Sequence, residues 1–204
     1  MLLLCLGDSI TDCGRVFDSP PLGNGYVKQL ASRLTLEGGD WKVINKGMDG
    51  LTLSKLFQNF TQSTLSMQPD LLTILIGIND VSLMKNTGRF PEQQKDMMDR
   101  FFGDYDSLLT ALLPKIPHIL LMEPFIFSYP AEYINWLPLV QHMSQEIEKL
   151  AKKYCLTYLF LQEPLNKAVH TYGAEKITTD GIHLTEKGHE VITDLLYAYI
   201  QSQL

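Results

Sequence analysis

The chain has 204 residues, 45% of them hydrophobic and 20% charged, with a formal net charge of -6. That length suits one domain, expected over 1–204, with enough residues for a full core. The acidic balance argues against a nucleic-acid partner, which calls for a basic face, and no apolar stretch approaches the length of a membrane span.

The first residues lack the cationic segment and the A-x-A-like site of a secretory signal, so a cytoplasmic protein is expected. Cys5, Cys13 and Cys155 are odd in number and show no pairing pattern, which argues against a disulfide framework. Cys5 and Cys155 read as small core residues. Cys13 lies just after a candidate serine; packing under that loop is favoured there over a redox or nucleophilic role.

Short apolar runs of strand length occur at 2–6, 42–46, 71–76, 119–123 and 158–161. Longer amphipathic segments occupy about 24–37, 51–65, 92–113, 134–154 and 185–203. In the last of these, Leu184, Val191, Ile192, Leu195, Leu196 and Tyr199 form an apolar stripe that reads as core packing. Alternating strands and helices imply right-handed βαβ units and a parallel sheet covered on both faces. Continuous apolar strands agree with that burial.

In an open sheet of this kind, ligands bind beyond the carboxyl ends of the strands, at the topological switch point. If the strand order is 2-1-3-4-5, the switch lies between the first and third strands. The loops after the first three strands read Gly7-Asp8-Ser9, Gly47-Met48-Asp49-Gly50 and Gly77-Ile78-Asn79-Asp80. Three loops of glycine and polar residues then meet at one crevice.

A serine at the end of a buried strand is a natural nucleophile, but it needs a base. Histidine is the usual base near neutral pH. His118, His142, His170 and His189 sit in strand, helix or polar contexts and read as structural or solvated. His183 differs: it lies in Thr-Thr-Asp-Gly-Ile-His-Leu-Thr, just before the last helix, with Asp180 three residues earlier. A tight turn there lets the carboxylate face the imidazole and fix its tautomer. A helix-entry turn with Asp180 as a cap competes with that reading; Gly-Asp-Ser at the other end of the chain tips the balance toward catalysis. Candidate oxyanion donors are the backbone N–H groups of Ser9 and Gly47 and the side-chain amide of Asn79. Simple turn roles for Gly47 and Asn79 are the alternatives.

Gly7-Asp8-Ser9-Ile10-Thr11, Asn45-Lys46-Gly47, Gly77-Ile78-Asn79-Asp80-Val81 and Asp180-Gly181-Ile182-His183 together resemble the four ordered blocks of the SGNH (GDSL-like) hydrolases. The resemblance spans the chain. It implies a three-layer, flavodoxin-like α/β/α sandwich with a five-stranded parallel sheet of order 2-1-3-4-5, and a serine esterase that needs no metal or other cofactor. It implies Ser9 as nucleophile and first oxyanion donor, Gly47 and Asn79 completing the hole, His183 as base and Asp180 as its orienter.

The segments Ile10-Thr11-Asp12-Cys13-Gly14-Arg15 and Leu22-Gly23-Asn24-Gly25-Tyr26-Val27 narrow the likeness to the intracellular acetylxylan-esterase branch. That branch implies a small acetylated sugar as substrate and a homo-oligomer. The chain departs from it at Ser82, where members tend to carry Trp, and at Leu184, where a Pro often follows the histidine. Candidate substrate-binding residues are Asp12, Arg15, Asp80, Phe125 and Trp136, with Trp41, Phe127 and Tyr129 as further aromatics. For each aromatic, local packing competes with a sugar- or acyl-binding role. The alternative activity is a lysophospholipase- or thioesterase-type acylhydrolase. A flavodoxin-like phosphate-binding module fits poorly, because Asp8 and Asp12 repel phosphate. Metal hydrolysis through Asp180 and His183 lacks enough clustered ligands.

Overall fold

The structure, a computed structural model, describes residues 1–203. Five strands occur among them: β1 (Leu2–Gly7), β2 (Lys42–Gly47), β3 (Leu71–Leu75), β4 (His118–Met122) and β5 (Thr157–Leu159). They form a sheet of order β2-β1-β3-β4-β5 in which every neighbouring pair is parallel. This is the expected α/β sheet, in the expected order.

Burial along the strands follows their place in the sheet. Every residue of β3, and all of β1 after Leu2, is buried, so the central strands need no polar side. The edge strands β2 and β5 keep exposed positions, which is why Lys42 and Thr157 are tolerated there. β5 is shorter than its apolar run. The backbone N–H groups of Leu161 and Gln162 turn away to donate to the buried Glu123 carboxylate, both at 2.8 Å, and end the strand before Phe160.

The helices are α1 (Ser9–Asp12), α2 (Tyr26–Leu36), α3 (Leu53–Met67), α4 (Ile78–Asn86), α5 (Pro91–Leu112), α6 (Leu137–Lys153), α7 (Gln162–Tyr172), α8 (Ala174–Ile177) and α9 (Glu186–Gln203). On one side of the sheet α2 packs on α9 and α9 on α7; on the other, α3, α4 and α6 pack around α5. Side chains such as Leu4, Leu30, Leu72, Leu108 and Leu121, all fully buried, fill the two interfaces. Each such burial contributes about 1.5–3 kcal/mol. None of the described helices is long and apolar enough to cross a membrane.

Besides the single-turn α1 and α8, two longer helices, α4 and α7, were not expected. α4 begins inside the Gly77–Asp80 loop, and its Ile78, Val81 and Met84 form a narrow buried stripe. α7 buries only Leu165 and Ala168 and carries Pro164 in its first turn, so its sequence looks like a polar connection. α9 is also rotated from the expected stripe. Ile192, Leu196, Tyr197 and Ile200 face inward together with His189, whereas Val191, Leu195 and Tyr199 are only partly buried.

The register sets up the site. Gly7 pairs with Gly47 on one side and with Leu75 on the other. The carboxyl ends of β1, β2 and β3 are therefore level, and the three loops that follow them emerge side by side.

Candidate active site

Ser9 opens α1 directly beyond β1. Asp8 caps that helix, its Oδ1 accepting the Ile10 N–H at 3.1 Å. The Asp8 carboxyl is buried, and burial pushes its pKa up to about 7. It braces the turn. α1 lies against the end of β2, so close that a Cβ on Gly47 would sit 2.2 Å from the Asp12 nitrogen. Buried Asn45 fastens this contact: its Nδ2 donates to the Thr11 carbonyl at 2.7 Å and to the Leu22 carbonyl at 2.8 Å. Thr11 Oγ1 also meets the Tyr26 hydroxyl at 2.9 Å. The serine thus rides on a turn held from two sides.

His183 comes from the loop between α8 and α9. Its Nε2 lies 2.8 Å from Ser9 Oγ, and its Nδ1 lies 2.6 Å from Asp180 Oδ2. Asp180 Oδ1 accepts the backbone N–H groups of Ile182 at 2.9 Å and His183 at 2.7 Å. Burial raises the Asp180 pKa, but the bonds from the His183 ring and from these two N–H groups outweigh it and hold the carboxyl below its usual value. Asp180 therefore stays a carboxylate, able to accept a hydrogen bond from Nδ1–H and direct Nε2 at the serine.

The rest of the loop is pinned as well. Thr178 Oγ1 donates to the His183 carbonyl and accepts the Gly181 N–H, both at 2.8 Å, and Phe127 N–H donates to the Gly181 carbonyl at 2.9 Å. Gly181 has φ +92°, and a Cβ there would lie 1.7 Å from the Tyr129 carbonyl oxygen. Only glycine fits.

The expected oxyanion donors fare differently. The Gly47 N–H is buried and donates to Asn45 Oδ1 at 2.8 Å, so it is spent on holding β2 in place. This corrects the expectation for Gly47. Gly50, later in the same loop, is exposed, has φ +68°, and its N–H has no hydrogen-bond partner among the described residues. It stands between Asp49, which faces the serine's cavity, and Leu51, whose carbonyl accepts Asn79 Nδ2 at 3.1 Å. The signal for it was the second glycine of Gly47-Met48-Asp49-Gly50. Asn79, at the start of α4, keeps a second N–H on the same amide nitrogen.

Ser9 and His183 open onto a cavity of about 380 Å³ whose wall includes Asp12, Cys13, Val16, Phe17, Asp49 and His189. Of the expected substrate-binding residues, only Asp12 lines it. Arg15 points its Nε at the Gly47 carbonyl at 2.5 Å and takes a structural bond. Asp80 accepts the Leu53 N–H at 3.2 Å and so caps α3; burial pushes its carboxyl up to about 7. Phe125 is fully buried beside Phe127, and Trp136 packs on Tyr133 with ring centroids 4.8 Å apart. Trp41 precedes β2 and lies at the opposite, amino edge of the sheet. The segment after β4 does lie on the crevice side, but what it sets against the Asp180–His183 loop is backbone, the Phe127 N–H and the Tyr129 carbonyl at Gly181.

Cys13 packs under its loop, its Sγ 3.5 Å from His189 Nε2. Burial, followed by the nearby His183 charge, pushes the His189 pKa down to about 4, and desolvation raises the Cys13 thiol. Both side chains are therefore neutral near pH 7. A larger cavity of about 420 Å³ lies between α6 and α7 and contains neither Ser9 nor His183. Among the described residues, no cluster of three His, Cys, Asp or Glu is placed to hold a metal ion.

Residues 5–191 match the model of the GDSL-like Lipase/Acylhydrolase family. The chain belongs to this family. Its members' ester chemistry needs the parts described above: a hydroxyl, a base and an oriented carboxylate at one crevice. The chain is 27% identical over 200 residues to the acetylxylan esterase of Geobacillus stearothermophilus, covering 93% of this chain and 89% of that one. It is 24% identical to an acetylxylan esterase of Xylanibacter ruminicola, spanning 97% of its own length but 42% of that longer protein. A solved structure of a variant of the Geobacillus stearothermophilus enzyme superposes with TM-score 0.86 at 26% identity, covering 100% of this chain and 95% of that chain. An α/β hydrolase from the Lake Arreo metagenome, 22% identical, shares the fold with TM-score 0.83 over 97% of this chain and 93% of that one.

Proposed function

We propose that the chain is a serine esterase that removes acetyl groups from small acetylated carbohydrates, xylo-oligosaccharides foremost. The observation that carries this reading is the hydrogen-bonded line Ser9–His183–Asp180, with 2.8 Å and 2.6 Å between successive groups. Likeness to the acetylxylan esterases supports the substrate.

In the proposed cycle, Ser9 Oγ attacks the ester carbonyl while His183 Nε2 takes its proton. Asp180 holds the ring and stabilises the imidazolium. The developing oxyanion is met by the N–H groups of Ser9 and Gly50 and by Asn79 Nδ2. The C–O bond to the sugar then breaks, the sugar oxygen takes the proton from His183, and the acetyl group stays on Ser9. Water, activated by the same histidine, releases acetate and restores Ser9.

The proposal takes residues 1–204 as one hydrolase domain that works as a cytoplasmic homo-oligomer, as the acetylxylan-esterase likeness implies. Light scattering on the purified protein tests the oligomer. The catalytic reading is tested by Ser9→Ala with acetylated xylo-oligosaccharides and p-nitrophenyl acetate. Hydrolysis of both falls to background if Ser9 is the nucleophile, and continues at the original rate if it is not. A series of p-nitrophenyl esters separates the acylhydrolase alternative, which predicts preference for octanoate over acetate.

A further inference from the structure

The mouth of the catalytic cavity carries an unusual display. Phe17 is 94% exposed and Val16 is 64% exposed, yet both belong to the cavity wall that includes Ser9 and His183. They sit on a short 3₁₀ turn, Arg15–Phe17, clamped at both ends. Before it, Asp12 Oδ1 accepts the Arg15 N–H at 3.0 Å and Arg15 Nε holds the Gly47 carbonyl. After it, Lys28 Nζ reaches Asp18 Oδ1 at 3.1 Å. Inside it, the Phe17 N–H donates to the Gly14 carbonyl at 2.9 Å. A free loop would fold an exposed phenylalanine back onto the protein; this one is held open.

Resting on the esterase reading above, we infer that Phe17 and Asp49 form the seat for the sugar that carries the ester. The apolar face of a pyranose ring stacks on the Phe17 ring, and Asp49 accepts hydrogen bonds from its hydroxyls. The Asp49 carboxylate is exposed, lines the same cavity and has no hydrogen-bond or ion-pair partner among the described residues. An aromatic plane beside a free acceptor suits a polyol. Asp12 is already bonded to Arg15, but the unpartnered Asp49 carboxylate disfavours an alkyl chain, which would leave its charge without a donor, and a phosphate headgroup, which it would repel. The rigid turn means that little ordering cost is paid when the sugar docks.

The test compares wild type with Phe17→Ala, Phe17→Tyr and Asp49→Ala on two substrates, an acetylated xylo-oligosaccharide and ethyl acetate, whose leaving group is too small to reach the rim. Phe17→Ala raises KM for the oligosaccharide about tenfold, equivalent to ~1.4 kcal/mol, with kcat and all ethyl acetate kinetics unchanged. Phe17→Tyr restores KM, and Asp49→Ala raises it selectively. Unchanged oligosaccharide KM in Phe17→Ala, or equal losses on both substrates, overturns the seat while leaving the esterase reading intact. A change of oligomeric state without the KM effect also overturns it, because Phe17 would then be covered by a second copy of the chain. A wild type inactive on every acetylated sugar but active on ethyl acetate overturns the seat and the carbohydrate substrate together, and leaves only the esterase chemistry.

Discussion

Replacing Asp180 by Asn tests how the histidine is held. Asp180 accepts three hydrogen bonds: the Ile182 and His183 N–H groups at Oδ1 and the His183 ring at Oδ2. An amide keeps the two backbone bonds through its oxygen, so the loop survives. Its NH₂ group then faces His183 Nδ1, removes the charge-assisted bond and favours the tautomer with the proton on Nε2, which cannot accept from Ser9. A hydrogen bond to a charged group contributes about 1.5–3 kcal/mol, which corresponds to roughly 10- to 150-fold in rate. Because 48% of the Asp180 side chain and 45% of the His183 side chain are exposed, water can partly replace the lost partner. The expected loss in kcat therefore lies in the lower part of that range, about 10- to 50-fold, smaller than for Ser9→Ala or His183→Ala. The assay is kcat on p-nitrophenyl acetate, with circular dichroism confirming an unchanged fold. Collapse equal to Ser9→Ala in a folded protein, or no loss at all, would refute this account of Asp180.

Asn79→Ala removes one oxyanion donor along with the tether to the Leu51 carbonyl. It lowers kcat by about 10²- to 10³-fold with a smaller change in KM, and a pure KM effect in steady-state kinetics would contradict the donor role. His189 titrates well below its ordinary value of 6.5, at about 4, so the unfolded chain binds its proton first as pH falls. Stability from His189 is thus complete above about pH 6.5 and is lost on acidification toward pH 4, by up to about 3 kcal/mol. Urea unfolding of wild type and His189→Gln at pH 7 and pH 4.5 checks the sign: the difference between them must shift against wild type at the lower pH.

Much of this arrangement was legible in the sequence because the buried centre of the sheet writes itself as continuous apolar runs. β1 and β3 are the clearest cases, and the polar loops beyond them mark the crevice. Ser9, Asp180 and His183 stood out because a serine after a buried strand, and an Asp-Gly-Ile-His turn before a helix, suit nucleophile and base; the structure brings them within hydrogen-bond reach from opposite ends of the chain. Gly47 was misread because a glycine after a strand can offer its N–H or let another backbone approach. Only the fold shows Asp12 pressed against it and Asn45 Oδ1 accepting its N–H. The aromatics after β4 failed as pocket residues for a related reason: position beyond a carboxyl strand end does not say whether a ring faces the crevice or the core. Phe17 escaped notice because its exposure depends on the clamps at Asp12, Arg15 and Asp18, which are tertiary. α7 was hidden by a polar sequence with only two buried positions.

The central claim is that Ser9 is the nucleophile, activated by His183. Labelling the purified protein with a fluorophosphonate, followed by peptide mass spectrometry, tests it most directly. The account predicts one adduct, on the peptide carrying Ser9, formed quickly in wild type and at a small fraction of that rate in His183→Ala. A label on any other residue, or equally fast labelling of Ser9 without His183, would contradict it.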